Sequence, residues 1–225
     1  MPSVRHHIET YCLSVDDDPA AQCFDDYLLV CGAVLFASQT KLDCANPFAN
    51  AFPGDHYRLL AGLLHHAKPL CIVDIGTHYG TGTRVMCDYA PKAEIYTFDI
   101  APWESLETTF LKPSDFVTGG GKVTQYLDDL SDPLVFDKHK DLIDRADFIM
   151  CDAPKDGVFE EKFYRLLADM KLTRKPRWLF LDDIRFTSEL LSWRRVQSPK
   201  IDLTSFGHFS GTGLVDISEG FKFYD

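Results

Sequence analysis

Val73-Asp74-Ile75-Gly76-Thr77-His78-Tyr79-Gly80-Thr81-Gly82 is the stretch whose reading decides the fold. An apolar run, 71–75, passes straight into a glycine-rich turn and then into a stretch with helical character, 80–89. Glycines at such a turn let the backbone adopt positive φ and pass close to a ligand. The spacing is G-x-x-x-G-x-G, whereas a dinucleotide fingerprint is G-x-G-x-x-G. No Lys-Ser/Thr follows the last glycine, which excludes a P-loop. A second marker stands about 20 residues further on, the usual distance to a ribose-binding acid. The next apolar run, Ile95-Tyr96-Thr97-Phe98-Asp99, ends in a carboxylate that can hold both ribose hydroxyls. Either feature alone also fits an ordinary strand–helix turn or a strand-end Asp; in register on successive strands they point to a nucleoside ligand.

Working outward, short apolar runs alternate with amphipathic stretches. The runs are 71–75, 94–100, 122–127, 146–152, 177–183, 201–206 and 213–217. Several are apolar on both faces, Cys71-Ile72-Val73-Asp74-Ile75 and Trp178-Leu179-Phe180-Leu181 among them, as strands of a parallel sheet covered on both sides must be. Stretches 80–89, 132–144, 158–170 and 187–196 suit crossover helices. Only Gly207 to Thr212 joins the last two runs, too short a link for a crossover, so that pair is expected to be antiparallel. Helical periodicity also covers 25–38 and 56–66, with Pro47 and Pro53-Gly54 punctuating the gap. The expectation is a doubly wound α/β fold: a seven-stranded, mostly parallel sheet with an antiparallel C-terminal hairpin and N-terminal helices. A chain of 225 residues has room for one such domain, 1–225, with a helical part or lid over 1–67 and a cofactor-binding core over 68–225.

Bulk properties narrow the partners. A formal net charge of −11 repels phosphate backbones, so nucleic acid is excluded as the expected partner and a small molecule is favoured. The densest basic stretches, 171–177 and Arg194-Arg195, read as solvated helix ends. No apolar run approaches the roughly 20 residues of a membrane span. The first residues lack a signal-peptide core, so no membrane and a cytoplasmic location are expected. Seven scattered cysteines (12, 23, 31, 44, 71, 87, 151) without any C-x-x-C read as reduced, and Cys71 and Cys151 as small core residues. Self-association is left open.

The glycine turn also carries a resemblance. Val73-Asp74-Ile75-Gly76-x-x-x-Gly80-x-Gly82 resembles motif I of the class I S-adenosylmethionine-dependent methyltransferases, and Tyr96-Thr97-Phe98-Asp99 the acidic strand that follows it. The resemblance covers about residues 55 to 218 and implies the sheet order 3-2-1-4-5-7-6 with strand 7 antiparallel. It implies that the turn, Gly76, Thr77, His78, Gly80 and Gly82, holds the amino-acid part of S-adenosylmethionine and that Asp99 holds its ribose. Asp128, after the third strand, is placed near the adenine.

Two more runs end in acid: Phe148-Ile149-Met150-Cys151-Asp152 and Trp178-Leu179-Phe180-Leu181-Asp182-Asp183. As neighbouring strands they lie about 4.8 Å apart, and their ends face the crevice of the glycine turn, so Asp152 borders the cofactor as well. Three carboxylates converging there repel one another unless a cation sits among them, and oxygen-only ligands suit Mg2+. Helix capping is the plain alternative, although neither Asp152 nor Asp183 stands where a cap reaches the first amides. Adjacent Asp182 and Asp183 can share an ion only if the strand has already turned. Asp152-Ala153-Pro154-Lys155-Asp156 is similar to the Asp-x-x-Lys-Asp segment of catechol and caffeoyl-CoA O-methyltransferases. There the Asp is a metal ligand and the Lys lies beside the reacting hydroxyl. Asp182-Asp183 falls where those enzymes carry Asp-Asn; an Asp-Asp pair is seen in the macrocin O-methyltransferase and cephalosporin hydroxylase-like families. Asp202 to His208 has no counterpart in the catechol enzymes.

The expected function is therefore a divalent-metal-assisted O-methyltransferase acting on a hydroxylated small molecule. Asp152, Asp182 and Asp183 are the expected ligands of Mg2+ or another divalent ion. Lys155 is the expected proton acceptor, provided that burial and the cation depress its pKa, with His208 in the last connection and His78 in the turn as rival bases. Hydroxylation or a non-redox rearrangement on the same fold, and a non-catalytic binding module, stay open as alternatives. Phe24, Tyr27, Phe36, Phe48, Phe52 and Tyr57 read as a helix core, with a lid over an apolar substrate as the alternative.

Overall fold

The computed structural model describes residues 26–43, 46, 49–50, 55–116, 123–173 and 177–224. In chain order the elements are α1 (Tyr27–Gln39), α2 (Asp55–Ala67), β1 (Cys71–Ile75), α3 (Thr81–Tyr89), β2 (Glu94–Phe98), β3 (Val123–Tyr126), α4 (Pro133–Arg145), β4 (Phe148–Cys151), α5 (Phe159–Ala168), β5 (Trp178–Asp182), α6 (Leu190–Arg195), β6 (Lys200–Asp202) and β7 (Thr212–Asp216). The strands form one sheet in the order β3-β2-β1-β4-β5-β7-β6. β7 runs antiparallel to both its neighbours and the remaining pairs are parallel, as expected from the short last connection.

Alternation along each strand sends neighbouring side chains to opposite faces, and two buried clusters result. Ile72, Ile95, Phe148, Met150, Phe180 and Leu214 join Leu59, Leu60, Leu63 and Leu64 of α2 and Val85 and Met86 of α3. Val73, Ile149, Leu179, Leu181 and Val215 join Phe136 of α4, Phe163 and Leu167 of α5 and Trp193 of α6. This two-sided covering is why the central strands are apolar throughout. Of the N-terminal aromatics, Tyr27, Phe36 and Tyr57 pack against the first cluster and are core, while Phe24, Phe48 and Phe52 lie outside the described residues. α1 approaches α2 closely at Gly62, where a Cβ would stand 2.4 Å from the Ala33 carbonyl oxygen. Cys31, Cys71, Cys87 and Cys151 are free thiols, the last three buried; Cys12, Cys23 and Cys44 lie outside the described residues.

Three expectations are corrected. The strand expected over 201–206 stops at Asp202, and Thr204–Phe206 form a 3-10 turn. Asp202 Oδ1 accepts from the Thr204 amide at 2.9 Å, a local bond that competes with the ladder. The helix expected over 187–196 is confined to Leu190–Arg195. Arg177 is not a solvated helix end but fully buried. Its guanidinium donates to the carbonyls of Ile143 and Asp144, in the last turn of α4, where helical carbonyls lack the usual i+4 amide. No helix among the described residues is long and apolar enough to cross a membrane.

Candidate functional site

Register brings the site residues into one row. Ile75 pairs with Phe98 on one side and with Cys151 on the other, and Cys151 pairs with Leu181. The next residue of each strand is therefore Gly76, Asp99, Asp152 and Asp182. A short bond network fixes the row: Gly76 N–H donates to Phe98 O at 2.9 Å and Asp152 N–H to Ile75 O at 2.8 Å. Gly76 has φ +101°, and a Cβ there would stand 2.0 Å from the Asp152 carbonyl oxygen. His78 also takes a positive φ, 41°, and its amide donates to Asp99 Oδ2 at 2.9 Å while the Ala101 amide donates to Oδ1 at 3.0 Å. Two backbone amides thus aim the Asp99 carboxylate and leave it further lone pairs for hydroxyl donors.

Beneath the turn, Asp74 is buried and its Oδ2 accepts from Thr83 Oγ1 at 2.5 Å and Thr97 Oγ1 at 3.0 Å. Burial pushes its carboxyl up to about 7, assisted by repulsion from Asp152 and Asp99 and opposed by the two threonine bonds. An acid whose folded-state pKa exceeds its unfolded value binds its proton more tightly in the native state. Its contribution to stability is complete below the ordinary aspartate range and is lost as pH rises toward 7. The native state of the metal-free protein is expected to lose stability as pH rises from the ordinary aspartate range to about 7, and Asp74→Asn to flatten that slope. Urea unfolding at several pH values measures the difference between the two proteins; parallel profiles would refute it.

A cavity of about 670 Å³ opens along the row, bordered by Gly76, His78, Asp99, Asp128, Asp152 and Lys155. That volume lies within the range of small-molecule sites, roughly 300–1,000 Å³. The structure thus brings together five of the eight residues expected to hold a cofactor. Thr77, Gly80 and Gly82 do not line it. Thr77 is buried against Thr97 and Gln125. Gly80, at φ +78°, starts α3 under Leu111, and Gly82 lies in the first turn of α3 against Met150. These three shape the turn rather than face the cavity. Asp128 borders the cavity, but its Oδ2 is taken by His139 Nε2 at 2.7 Å and Lys138 Nζ at 2.9 Å, bonds that hold the carboxyl below its ordinary range.

At the far end of the row Asp183 has φ +62°: the strand has turned, and consecutive acids face one point. Oxygens of Asp152, Asp182 and Asp183 lie within 4.8 Å of one another. None of the three caps a helix by its side chain; at α5 that role falls to Asp156, whose Oδ1 accepts from Val158 and Phe159 amides at 2.8 and 3.0 Å. Asp182 is the most buried, and burial and the repulsion of Asp152 and Asp183 hold its carboxyl well above its ordinary range. Its Oδ1 is buried without a hydrogen bond. Burial raises Asp183 too, but hydrogen bonds from His208 and Ser210 and the charge of Lys155 outweigh it and the carboxyl is held low. Lys155 Nζ stands 3.3 Å from Asp152 Oδ1, 3.9 Å from Asp183 Oδ2 and 4.0 Å from Glu160 Oε1. Burial lowers its pKa, yet the carboxylates win and hold it above the ordinary lysine value. The protein's own groups therefore favour the ammonium form of Lys155, and a role as proton acceptor needs the charge of a cation to reverse them. One ammonium among three acids, with a buried Asp182 oxygen left without a hydrogen bond, is a donor set that fits a divalent cation.

The histidines part company. His78 is exposed on the cavity's edge and packs at a tilt against Tyr79, ring centroids 3.8 Å apart. His208 stands behind the acids and off the cavity, its Nδ1 3.1 Å from Asp183 Oδ1 and bonded to Ser210 Oγ. Sequence reasoning missed His56, at the start of α2, whose Nε2 is 3.8 Å from Asp182 Oδ2. It missed Glu160 as well. Both stand in phase with an apolar stripe, His56 with Leu59, Leu60 and Leu63, and Glu160 with Phe163, Tyr164 and Leu167. A polar residue on the buried stripe of a helix was the available signal.

No family model and no curated protein matches the chain by sequence. Solved structures do match. The SAH-bound methyltransferase PaMTH1 of Podospora anserina superposes over 99% of this chain and 94% of its own, with a TM-score of 0.51 at 16% identity. The class I methyltransferase fold is the fold of this chain. An O-methyltransferase family protein of Burkholderia thailandensis aligns over 71% of this chain and 54% of its own (TM-score 0.45, 14% identity). MycE, a methyltransferase from the mycinamycin biosynthetic pathway in complex with Mg and SAH, aligns over 51% of this chain (TM-score 0.38, 16% identity). This chain spans 28% of MycE. In the methyltransferase fold the rim that carries Gly76, Asp99, Asp152 and Asp182 is the carboxyl edge of the parallel strands, where ligands of open α/β sheets bind.

Proposed function

We propose that the protein transfers a methyl group from S-adenosylmethionine to the hydroxyl of a small molecule, with a divalent cation at Asp152, Asp182 and Asp183. The observation that carries this reading is the single row Gly76–Asp99–Asp152–Asp182, which sets a nucleoside cradle and an acidic cluster on one cavity. The full-length likeness to an SAH-bound methyltransferase supports it. A cation bound to the acceptor hydroxyl would lower its pKa and fix its position for in-line attack on the sulfonium methyl. The chain's own residues do the rest. Asp99, aimed by the His78 and Ala101 amides, takes the ribose hydroxyls. Lys155, kept protonated, donates to the acceptor oxygen and stabilises it as an anion. With Lys155 held as a cation rather than a base, the reading favours an acceptor that ionises readily, such as a phenol.

Thermal unfolding tests the two halves of the reading separately. S-adenosylhomocysteine is expected to raise the melting temperature while NAD leaves it unchanged. Asp152→Ala is expected to abolish the response to Mg2+ while S-adenosylhomocysteine still binds. A variant that keeps both its metal response and its turnover removes the carboxylates from the mechanism, and a wild type stabilised by NAD alone removes the methyl donor.

A further inference from the structure

Asp182 belongs to a second set of donors. His56 Nε2 lies 3.8 Å from Asp182 Oδ2, and His208 Nδ1 lies 3.8 Å from Asp182 Oδ1, so the carboxylate sits between two imidazoles. The rings are 5.0 Å apart, centroid to centroid. One ligand atom from each of the three residues falls within 4.8 Å of the other two. The side chains are 6% (His56), 6% (Asp182) and 15% (His208) exposed, and they come from three separate elements: α2, the end of β5 and the β6–β7 connection. Nitrogen and oxygen ligands at about 2.1 Å from an ion stand roughly 3 to 4 Å apart. The two imidazole–carboxylate separations, 3.8 Å each, already fall in that range. The buried Asp182 Oδ1 makes no hydrogen bond and has His208 Nδ1 beside it at 3.8 Å, a costly state for a buried polar oxygen that a shared ion would relieve.

We propose that His56, Asp182 and His208 form a binding site for a first-row transition ion of the Mn2+ to Zn2+ series, which takes such an ion in preference to Mg2+. Imidazole is a ligand of these borderline ions, whereas Mg2+ keeps to oxygen and water. The proposal goes beyond the cation reading of the acidic cluster: this second group shares Asp182 with it but takes a different class of ion. It also gives His208, which does not face the cavity, a role other than proton acceptor. His208 Nδ1 bonds Asp183 Oδ1 and Ser210 Oγ in the metal-free protein, and an ion ligated by this nitrogen would take the place of those bonds.

Cobalt absorption tests it on the whole chain stripped with EDTA. Co2+ is expected to bind the wild type with visible bands shifted and strengthened by nitrogen ligation, and to do so in the presence of excess Mg2+. His56→Gln and His208→Gln are each expected to lose these bands and to weaken Co2+ binding by at least ~100-fold, the upper range seen when support of a metal site is removed. The melting shift with S-adenosylhomocysteine is expected to persist in both, as proof of fold. Asp152→Ala is expected to keep the bands. Bands identical in wild type and both histidine variants mean oxygen-only ligation and overturn this proposal while leaving the acidic site intact. Failure of the wild type to bind either Co2+ or Mg2+ overturns both.

Discussion

Gly76→Ala is expected to abolish binding of S-adenosylhomocysteine and to destabilise the fold by about 2–6 kcal/mol, the sum of backbone strain and overpacking. The new Cβ would stand 2.0 Å from the carbonyl oxygen of Asp152, a backbone atom of the neighbouring strand that cannot swing aside as a side chain does. Moving β4 outward would lengthen the bond from Asp152 N–H to Ile75 O and displace the carboxylate as well. Relaxing the turn instead would take φ away from +101° and carry the amides of His78 and its neighbours off Asp99. Either relaxation costs the site one of its two ends. Gly82→Ala is the control: the nearest atoms to its Cβ are the Met150 thioether at 3.4 Å, and the position lies in the first turn of α3. Alanine there is expected to bind S-adenosylhomocysteine as the wild type does. Urea unfolding and calorimetric titration of both variants measure the contrast. Equal affinities in the two would remove Gly76 from the cradle.

The same contrast marks what the sequence could and could not convey. The sheet was legible because a strand covered on both faces has to be apolar on both, and because the link Gly207–Thr212 leaves no length for a crossover. The row of site residues followed from the ends of those strands, with the glycine turn and three terminal acids as markers. Its inner workings depend on tertiary contacts that no local pattern encodes. Thr77, Gly80 and Gly82 share the motif with Gly76 yet face threonine, leucine and methionine packing instead of the cavity. Asp183 joins the acids only because its backbone enters the left-handed region, a choice open to Asp but not announced by it. His56 reaches Asp182 from some 126 residues away in the chain, and only its place on the leucine stripe of α2 hinted at burial. Arg177 shows the reverse error: a basic cluster suggested solvent, and the orphan carbonyls of α4 drew the residue inside.

Lys155→Met is expected to bind divalent cations more tightly while methylating more slowly, two effects that a merely structural lysine would not separate. The ammonium lies 3.3 Å from Asp152 and 3.9 Å from Asp183, so it competes with any cation for the same oxygens. Two unit charges about 5 Å apart interact by about 3 kcal/mol at an effective dielectric of 20, and part of this is lost to rearrangement, so a gain of ~10- to 100-fold in cation affinity is expected. Methyl transfer moves the other way. The acceptor oxygen carries its greatest negative charge before and during attack, and loss of a preorganised donor at such a point costs about 10²–10³ in kcat. Lys155→Arg keeps the charge but spreads it over a planar fork in place of a point charge, and it is expected to recover cation affinity near the wild-type value with little of the rate. Cation titration by calorimetry and transfer of a labelled methyl group to a phenolic acceptor give the two readouts independently. Because burial and carboxylates act on Lys155 in opposite senses, the result also decides which prevails: a variant with unchanged cation affinity means that the ammonium never shared the acidic cluster, and a variant with unchanged rate means that it never met the acceptor.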